Sequence, residues 1–148
     1  MVLNKDFREF IQLLNEHDVR YLVVGGYAVA AHGYPRYTKD LDIWVWVDRT
    51  NAENLSRVLH EFGFTGLTPK DFLTPGEFVQ LGYPPNRIDI ITSCEGLEFE
   101  PCYAQKVQVQ LGELSVNFID YESLLINKRR VGRPQDLGDV DNLMKNKE

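Results

Sequence analysis

Apolar residues near the start of the chain recur at helical spacing. The intervals i, i+3, i+4 and i+7 place side chains on one face of an α-helix. Four large apolar residues follow these intervals: Phe7, Phe10, Ile11 and Leu14. A short apolar run over residues 21–24 then stops at a glycine pair, which predicts a buried strand, and the alanine-rich residues 27–32 predict a second helix. The chain therefore begins with a helix, a strand and a short helix.

The middle of the chain combines strand patterns with one helix. Residues 40–47 are apolar on both faces beyond two aspartates, which predicts a central strand. Residues 50–53 read Thr-Asn-Ala-Glu, a capping box, and they open a helix that runs to residue 62. Residues 63–76 are rich in Gly, Pro and Thr and predict a loop. Residues 77–92 predict two strands joined by a turn over residues 82–86.

The last third contains two short strands and two helices. Residues 108–111 and 115–118 flank a Gly-Glu turn and predict the strands. Asp120 caps a helix over residues 121–131, and a final helix begins near Pro134. Its predicted inward-facing residues are Leu137, Val140, Leu143 and Met144. The whole pattern predicts an α/β (α+β) fold, a mixed β-sheet flanked by helices, with residues 1–148 forming a single domain.

Composition narrows the class of protein. The chain is 43% hydrophobic and 26% charged, as globular domains are, and its net charge of −6 argues against a broad electrostatic grip on nucleic acid. No apolar run is long enough to span a membrane. Cys94 and Cys102 show no metal-ligand spacing, so we interpret them as free thiols and expect a cytoplasmic protein.

Two aspartates at the start of the central strand are the first chemical signal. Asp40 and Asp42 are one residue apart, and alternate side chains of a strand project from the same face. Neighbouring carboxylates repel each other unless a cation lies between them. Mg²⁺ prefers hard oxygen ligands and brings substrate phosphates with it, so the pair predicts a magnesium site, which Mn²⁺ could also occupy.

A third aspartate lies on another predicted strand. Asp89 interrupts an otherwise apolar segment, where an unpaired carboxylate is costly. One interpretation is a salt bridge to Arg87 or Lys39. The other is a two-metal phosphoryl-transfer site with Asp40 and Asp42, in which Asp89 binds the second ion or accepts a proton.

A glycine pair precedes these carboxylates. Gly25 and Gly26 allow the backbone to turn tightly and to approach a ligand closely. A helix that starts there would direct free N–H groups at an anion, such as the triphosphate of a nucleotide.

The order of these features resembles that of a known superfamily. A strand ending in Gly-Gly, a short helix, Gly-x-x-Arg-x-Thr and then Asp-Leu-Asp resembles the DNA polymerase β-type nucleotidyltransferases, and more narrowly the minimal and AbiEii-like enzymes of bacteria and archaea. The resemblance covers residues 20–47, Asp89 and residues 128–139. It implies Mg²⁺-dependent transfer of a nucleoside monophosphate from an NTP to a hydroxyl group. Five residues carry over to the family's glycine turn and carboxylate triad: Gly25, Gly26, Asp40, Asp42 and Asp89.

Basic residues complete the predicted site. Arg36 is expected to hold phosphates or to order its loop, whereas we interpret Thr38 as structural. Lys128 shares a helix face with Leu124 and Leu125, which directs it inward towards a triphosphate, where a positive charge would offset developing negative charge. Arg129 and Arg130 are expected in solvent. Three more residues are interpreted as a structural ion-pair network: Arg133, Asp136 and Asp139.

The leading hypothesis is a nucleotidyltransferase whose acceptor is a protein, a tRNA or a small molecule. The chain also resembles enzymes of toxin–antitoxin and phage-defence pairs, and this resemblance implies a cognate partner protein. The alternative is a non-catalytic nucleotide-binding or interaction module, because many relatives carry a phosphate-binding Ser where this chain has Gly26. A metal-dependent nuclease would explain the carboxylates but not the glycine turn.

Overall fold

A computed structural model describes residues 1–147 of the chain. Six strands form one mixed sheet with the order β3-β4-β2-β1-β6-β5. β2 pairs with β4 and β1 with β6 in parallel, whereas the other neighbours are antiparallel. The strands are β1 (Tyr21–Val24), β2 (Asp40–Val45), β3 (Phe78–Leu81), β4 (Arg87–Ile91), β5 (Val107–Leu111) and β6 (Leu114–Phe118). The predicted α/β class and the central position of β2 are confirmed.

Helices flank this sheet. They are α1 (Lys5–Glu16), α2 (Gly25–Ala31), α3 (Arg49–Phe62), α4 (Phe99–Ala104), α5 (Tyr121–Val131) and α6 (Pro134–Lys147). The four apolar residues of the α1 repeat are all buried, as their spacing predicts. A 3₁₀ turn (Pro69–Phe72) lies within the predicted loop. None of the helices within residues 1–147 is long and apolar enough to span a membrane.

Two helix starts differ from the prediction. The side chain of Asp48, rather than Thr50, caps α3 by accepting a hydrogen bond from the backbone N–H of Asn51 at 3.1 Å. The predicted capping box is therefore wrong, and Thr50 lies inside the first turn. α2 begins at Gly25, two residues before the predicted start, so the glycine pair belongs to the helix.

The inward face of α6 also differs from the prediction. Val140 and Leu143 are buried, but Leu137 and Met144 are 47% and 45% exposed. The buried stripe of α6 consists of Asp136, Asp139, Val140 and Leu143, whose spacings of three and four residues place them on one face of the helix. Leu137 follows Asp136 and Met144 follows Leu143, so each lies about 100° around the helix from a residue at the edge or centre of this stripe and faces outward. The prediction failed because it assumed that the buried face would be apolar.

Candidate active site

Three carboxylates meet on one face of the sheet. β2 and β4 are parallel neighbours, and their register places Asp42 beside Asp89 and Asp40 beside Arg87. One carboxylate oxygen from each aspartate lies within 4.8 Å of the other two. The sequence predicted this meeting only as a hypothesis, because the pairing of β2 with β4 depends on strands that are far apart in the chain.

The crowding of these carboxylates changes their proton affinities. Burial, reinforced by the neighbouring Asp40 and Asp89 carboxyls, raises the pKa of Asp42 to about 8. Burial also raises the pKa of Asp89, although Arg87 opposes the shift. For Asp40, burial is outweighed by hydrogen bonds from the other two carboxyls and by nearby Arg87, so its pKa is lowered. Without a cation, the cluster therefore retains a proton near neutral pH, and a divalent metal would have to displace it.

Both interpretations of Asp89 are present in the structure. Arg87 Nε donates to Oδ1 of Asp89 and Arg87 Nη2 donates to Oδ2, each at 2.9 Å. The same carboxylate belongs to the triad. A bidentate pair fixes the plane of a carboxylate, so Arg87 orients Asp89 towards the other two aspartates.

The glycine pair makes room for two side chains, one on β2 and one in the loop before it. Gly25 has φ +68°, and a Cβ there would lie 3.0 Å from Cγ of Asp42 and closer still to its Oδ2. A Cβ at Gly26 would lie 2.7 Å from both Cγ2 and Oγ1 of Thr38. The glycines are therefore packed against the start of β2 and against the loop before it.

The predicted phosphate-binding cations are held by carboxylates. Lys128 is buried, and its Nζ lies 3.2 Å from Asp136 Oδ1 and 3.0 Å from Asp139 Oδ2. Arg36 donates from Nε and Nη2 to the two oxygens of Asp139, at 3.0 Å each. Arg133 donates to Asp136 at 2.7 Å, but no contact joins it to Asp139 among the described residues.

This network differs from the one that the sequence predicted. Both aspartates were interpreted as acidic residues of a first helical turn, which are common, but only Asp136 lies in the first turn of α6, and Asp139 lies beyond it. The structure makes them the partners of Lys128, while Arg129 and Arg130 are exposed as predicted. The spacing of three residues between Arg133 and Asp136 was the available signal for one of these pairs.

All seven predicted site residues line one cavity of about 750 Å³. Predicted and newly found residues share its wall: Phe78, Arg87, Ser93, Cys94 and Arg133 were not predicted there. Cys94 is a buried free thiol, and burial raises its pKa, which keeps it protonated and unreactive. Phe78 is 55% exposed and lies on the edge strand β3, opposite Ile91. The cavity therefore combines clustered carboxylates, cations and an apolar rim.

Solved structures share this fold at low sequence identity. TM1012 from Thermotoga maritima, described as a putative nucleotidyltransferase, has a TM-score of 0.62 and 16% identity, over 94% of this chain and 90% of that chain. The lincosamide antibiotic adenylyltransferase LnuA, solved with lincomycin bound, has a TM-score of 0.60 and 15% identity, over 97% of each chain. An antigenic nucleotidyltransferase-like protein from Paracoccidioides brasiliensis has a TM-score of 0.57 and 19% identity, over 97% of this chain and 78% of that chain.

The sequence itself matches one family. No curated protein matches it significantly. The family of nucleotidyl transferases of unknown function, DUF2204, matches residues 3–148, nearly the full length of the chain. Together with the shared fold and the carboxylate cluster, this match shows that the chain belongs to the DUF2204 family of nucleotidyltransferases.

Proposed function

We propose that this enzyme transfers a nucleoside monophosphate from an NTP to a hydroxyl group, with Asp40, Asp42 and Asp89 as the catalytic carboxylates. The observation that carries the proposal is the meeting of the three carboxylates, within 4.8 Å of one another, in a cavity that cations also line. A purely structural role would not explain the cost of crowding three acidic groups on one strand pair.

The donor set fits divalent magnesium. Three carboxylates supply only oxygen ligands, as Mg²⁺ and Mn²⁺ prefer, and their negative charge needs a cation. Asp40, Asp42 and Asp89 would hold two such ions. When bound, the metal supplies positive charge against the triphosphate and lowers the pKa of an attacking hydroxyl.

The chemistry is a displacement at the α-phosphorus. The acceptor oxygen forms a bond to this phosphorus, the bond from phosphorus to the bridging α,β-oxygen breaks, and pyrophosphate leaves with that electron pair. The acceptor's proton passes to a carboxylate of the triad. Arg87 orients Asp89 for its part in this arrangement through the bidentate pair at 2.9 Å.

The cationic side of the cavity suits the phosphates. Arg36, Lys128 and Arg133 carry three positive charges, whereas Asp136 and Asp139 carry two negative ones, so the network retains one net positive charge. Arg36 and Lys128 are thereby fixed in position before a nucleotide binds, and such preorganised charge stabilises a phosphoryl transition state. Gly25 and Gly26 line the same cavity.

The acceptor is a small molecule, a protein or a tRNA. LnuA has an antibiotic bound and matches 97% of this chain in fold, which supports testing small molecules first. The net charge of −6 weighs against tRNA. Resemblance to toxin–antitoxin enzymes supports a cognate partner protein, and the free cysteines support a cytoplasmic location.

One observation favours the alternative of a non-catalytic nucleotide-binding module. Both oxygens of Asp89 accept hydrogen bonds from Arg87, which occupies one lone pair of each oxygen and offsets part of the negative charge that would attract a metal or a proton. The alternative predicts NTP binding without release of pyrophosphate.

The test is transfer of label from each NTP carrying a radioactive α-phosphate. The protein is incubated with Mg²⁺ and, in separate reactions, with a cell lysate, tRNA and a set of hydroxyl-bearing antibiotics. We expect label on one acceptor class, and loss of transfer in Asp42→Asn but not in Asp141→Asn, which alters an exposed carboxylate on α6. Equal transfer by Asp42→Asn and the unaltered enzyme would refute the proposal, and NTP binding without transfer would favour the binding module.

A further inference from the structure

Gly26 is not required by the backbone conformation at its position. Unlike Gly25, it does not have a positive φ, so any L-amino acid could adopt its backbone angles. It lies in α2, where glycine weakens the helix relative to alanine. The reason for glycine must therefore be the space around it.

The side chain of Thr38 fills that space. A Cβ at position 26 would lie 2.7 Å from both branches of Thr38, the Cγ2 methyl and the Oγ1 hydroxyl. Thr38 belongs to the loop between α2 and β2, and it lines the same cavity as the carboxylate triad. The hydroxyl of Thr38 thus lies against the glycine pair.

A guanidinium nitrogen of Arg36 also lies close to the Cβ position of Gly26. Arg36 Nη1 lies 3.3 Å from the Cβ position of Gly26, so two donors from one loop converge there. The other two nitrogens of Arg36 donate to Asp139, whereas Nη1 has one hydrogen bond within residues 1–147, to the carbonyl of Tyr37 at 3.3 Å. Converging donors of this kind, one of them charged, are suited to an anionic oxygen.

The Thr38 hydroxyl is free to turn towards a ligand. Its one hydrogen bond within the described residues goes to the carbonyl of Arg36 at 3.3 Å. Bonds between a hydroxyl and an oxygen are strongest at about 2.7 to 2.8 Å, so little is lost when this one breaks. Thr38 is also only half-buried, which leaves it accessible from the cavity.

We propose that the Thr38 hydroxyl donates a hydrogen bond to a phosphate oxygen of the bound NTP, beside Nη1 of Arg36 at the Gly26 surface. This inference rests on the proposed function, because the anion is the triphosphate of that reaction. It makes Thr38 a substrate-binding residue, and it makes Gly26 the position that leaves room for it.

The test measures binding of the α,β-methylene analogues of ATP and GTP, each with Mg²⁺, by calorimetry. These analogues cannot lose pyrophosphate, so binding is separated from transfer. Thr38→Val keeps the shape of the side chain and removes the hydroxyl, and we expect its Kd to rise about 10- to 100-fold, as for loss of a hydrogen bond to a charged group. Thr38→Ser keeps the hydroxyl and should stay near the unaltered value, as should Thr50→Val, an exposed threonine on α3.

A swap of the hydroxyl between the two positions tests the geometry. Thr38→Ala removes the two atoms that crowd position 26, so a serine fits there only in the double variant. Gly26→Ser with Thr38→Ala should bind the analogue more tightly than Thr38→Ala alone, whereas Gly26→Ser alone should bind it more weakly than the unaltered protein.

The outcomes separate this inference from the proposed function. If Thr38→Val binds like the unaltered protein, or if the double variant binds no better than Thr38→Ala, the inference is wrong while NTP binding and transfer stand. If the unaltered protein binds neither analogue and transfers no label, the proposed function and the inference fail together. Far-ultraviolet circular dichroism of each variant shows that a lower affinity does not come from unfolding.

Discussion

Substitution of Gly25 by alanine should lower the rate of transfer about 100-fold while leaving most of the stability in place. The new Cβ would lie 3.0 Å from Cγ of Asp42 and nearer to Oδ2, so the carboxylate has to move. Gly25 also has φ +68°, a conformation that alanine adopts at a cost of about 1 to 2 kcal/mol. The substitution therefore combines a modest backbone penalty with displacement of Asp42, a carboxylate of the proposed catalytic triad.

The size of the two effects differs. To restore ordinary contact, Asp42 must shift by roughly 1 Å, and a misplacement of about 1 Å in an active site can lower the rate about 100-fold. The same variant should lose only about 1 to 2 kcal/mol of unfolding free energy, the cost of its backbone angle. A 100-fold loss of rate therefore cannot be explained by partial unfolding.

Gly112→Ala supplies the matched control. Gly112 has φ +69° in the turn between β5 and β6, and the nearest atom to its added Cβ is 3.8 Å away. It should lose similar stability in urea denaturation but keep the initial rate of label transfer. If Gly25→Ala transferred label at the rate of Gly112→Ala, the inferred packing of Gly25 against Asp42 would be wrong.

Two further predictions concern the buried charges. Lys128→Met leaves Asp136 and Asp139 without their shared partner and should lower the unfolding free energy by about 3 to 5 kcal/mol in urea titrations. The control Lys70→Met, at an exposed lysine, should change it by less than about 0.5 kcal/mol. Equal losses in the two variants would contradict the buried ion-pair network. Burial raises the pKa of Asp42 to about 8, so between about pH 4 and pH 8 the native protein keeps a proton on Asp42 that the unfolded chain has released. The free energy of unfolding, measured in EDTA, should therefore fall as the pH rises through this range. At the proposed metal site Mg²⁺ would have to displace that proton, so we expect the Mg²⁺-induced rise in Tm to be larger at about pH 8.5 than at about pH 6. Both pH dependences should be lost in Asp42→Asn. A Mg²⁺-induced rise in Tm that is the same at both pH values would contradict a raised pKa of Asp42 at the metal site.

The sequence predicted the helices, strands and helix cap that depend on residues close together in the chain. The helical repeat of α1 and the strand that ends at the glycine pair depend only on residues close together in the chain. The Asp120 cap of α5 is of the same kind, since its side chain accepts from the backbone N–H of Ser123 at 3.2 Å. The alternation of a strand likewise placed Asp40 and Asp42 on one face.

Features that depend on tertiary packing were missed. α4 spans only six residues and carries a proline, so its sequence has no helical period long enough to detect. The burial of Asp136 and Asp139 depends on Lys128 and Arg36, which reach them from another helix and from a distant loop. An aspartate near the start of a helix, such as Asp136 in the first turn of α6, has the same local sequence whether it faces solvent or a buried cation.

In the proposed active site, Asp40, Asp42 and Asp89 together hold the metal that contacts a bound NTP. The most direct measurement is a crystal structure with Mn²⁺ and the α,β-methylene analogue of ATP, in which anomalous scattering locates manganese. We expect manganese bound by oxygens of all three aspartates, with the triphosphate between them and Arg36. Nucleotide bound in this cavity without manganese at these carboxylates, or manganese elsewhere in the molecule, would contradict this expectation.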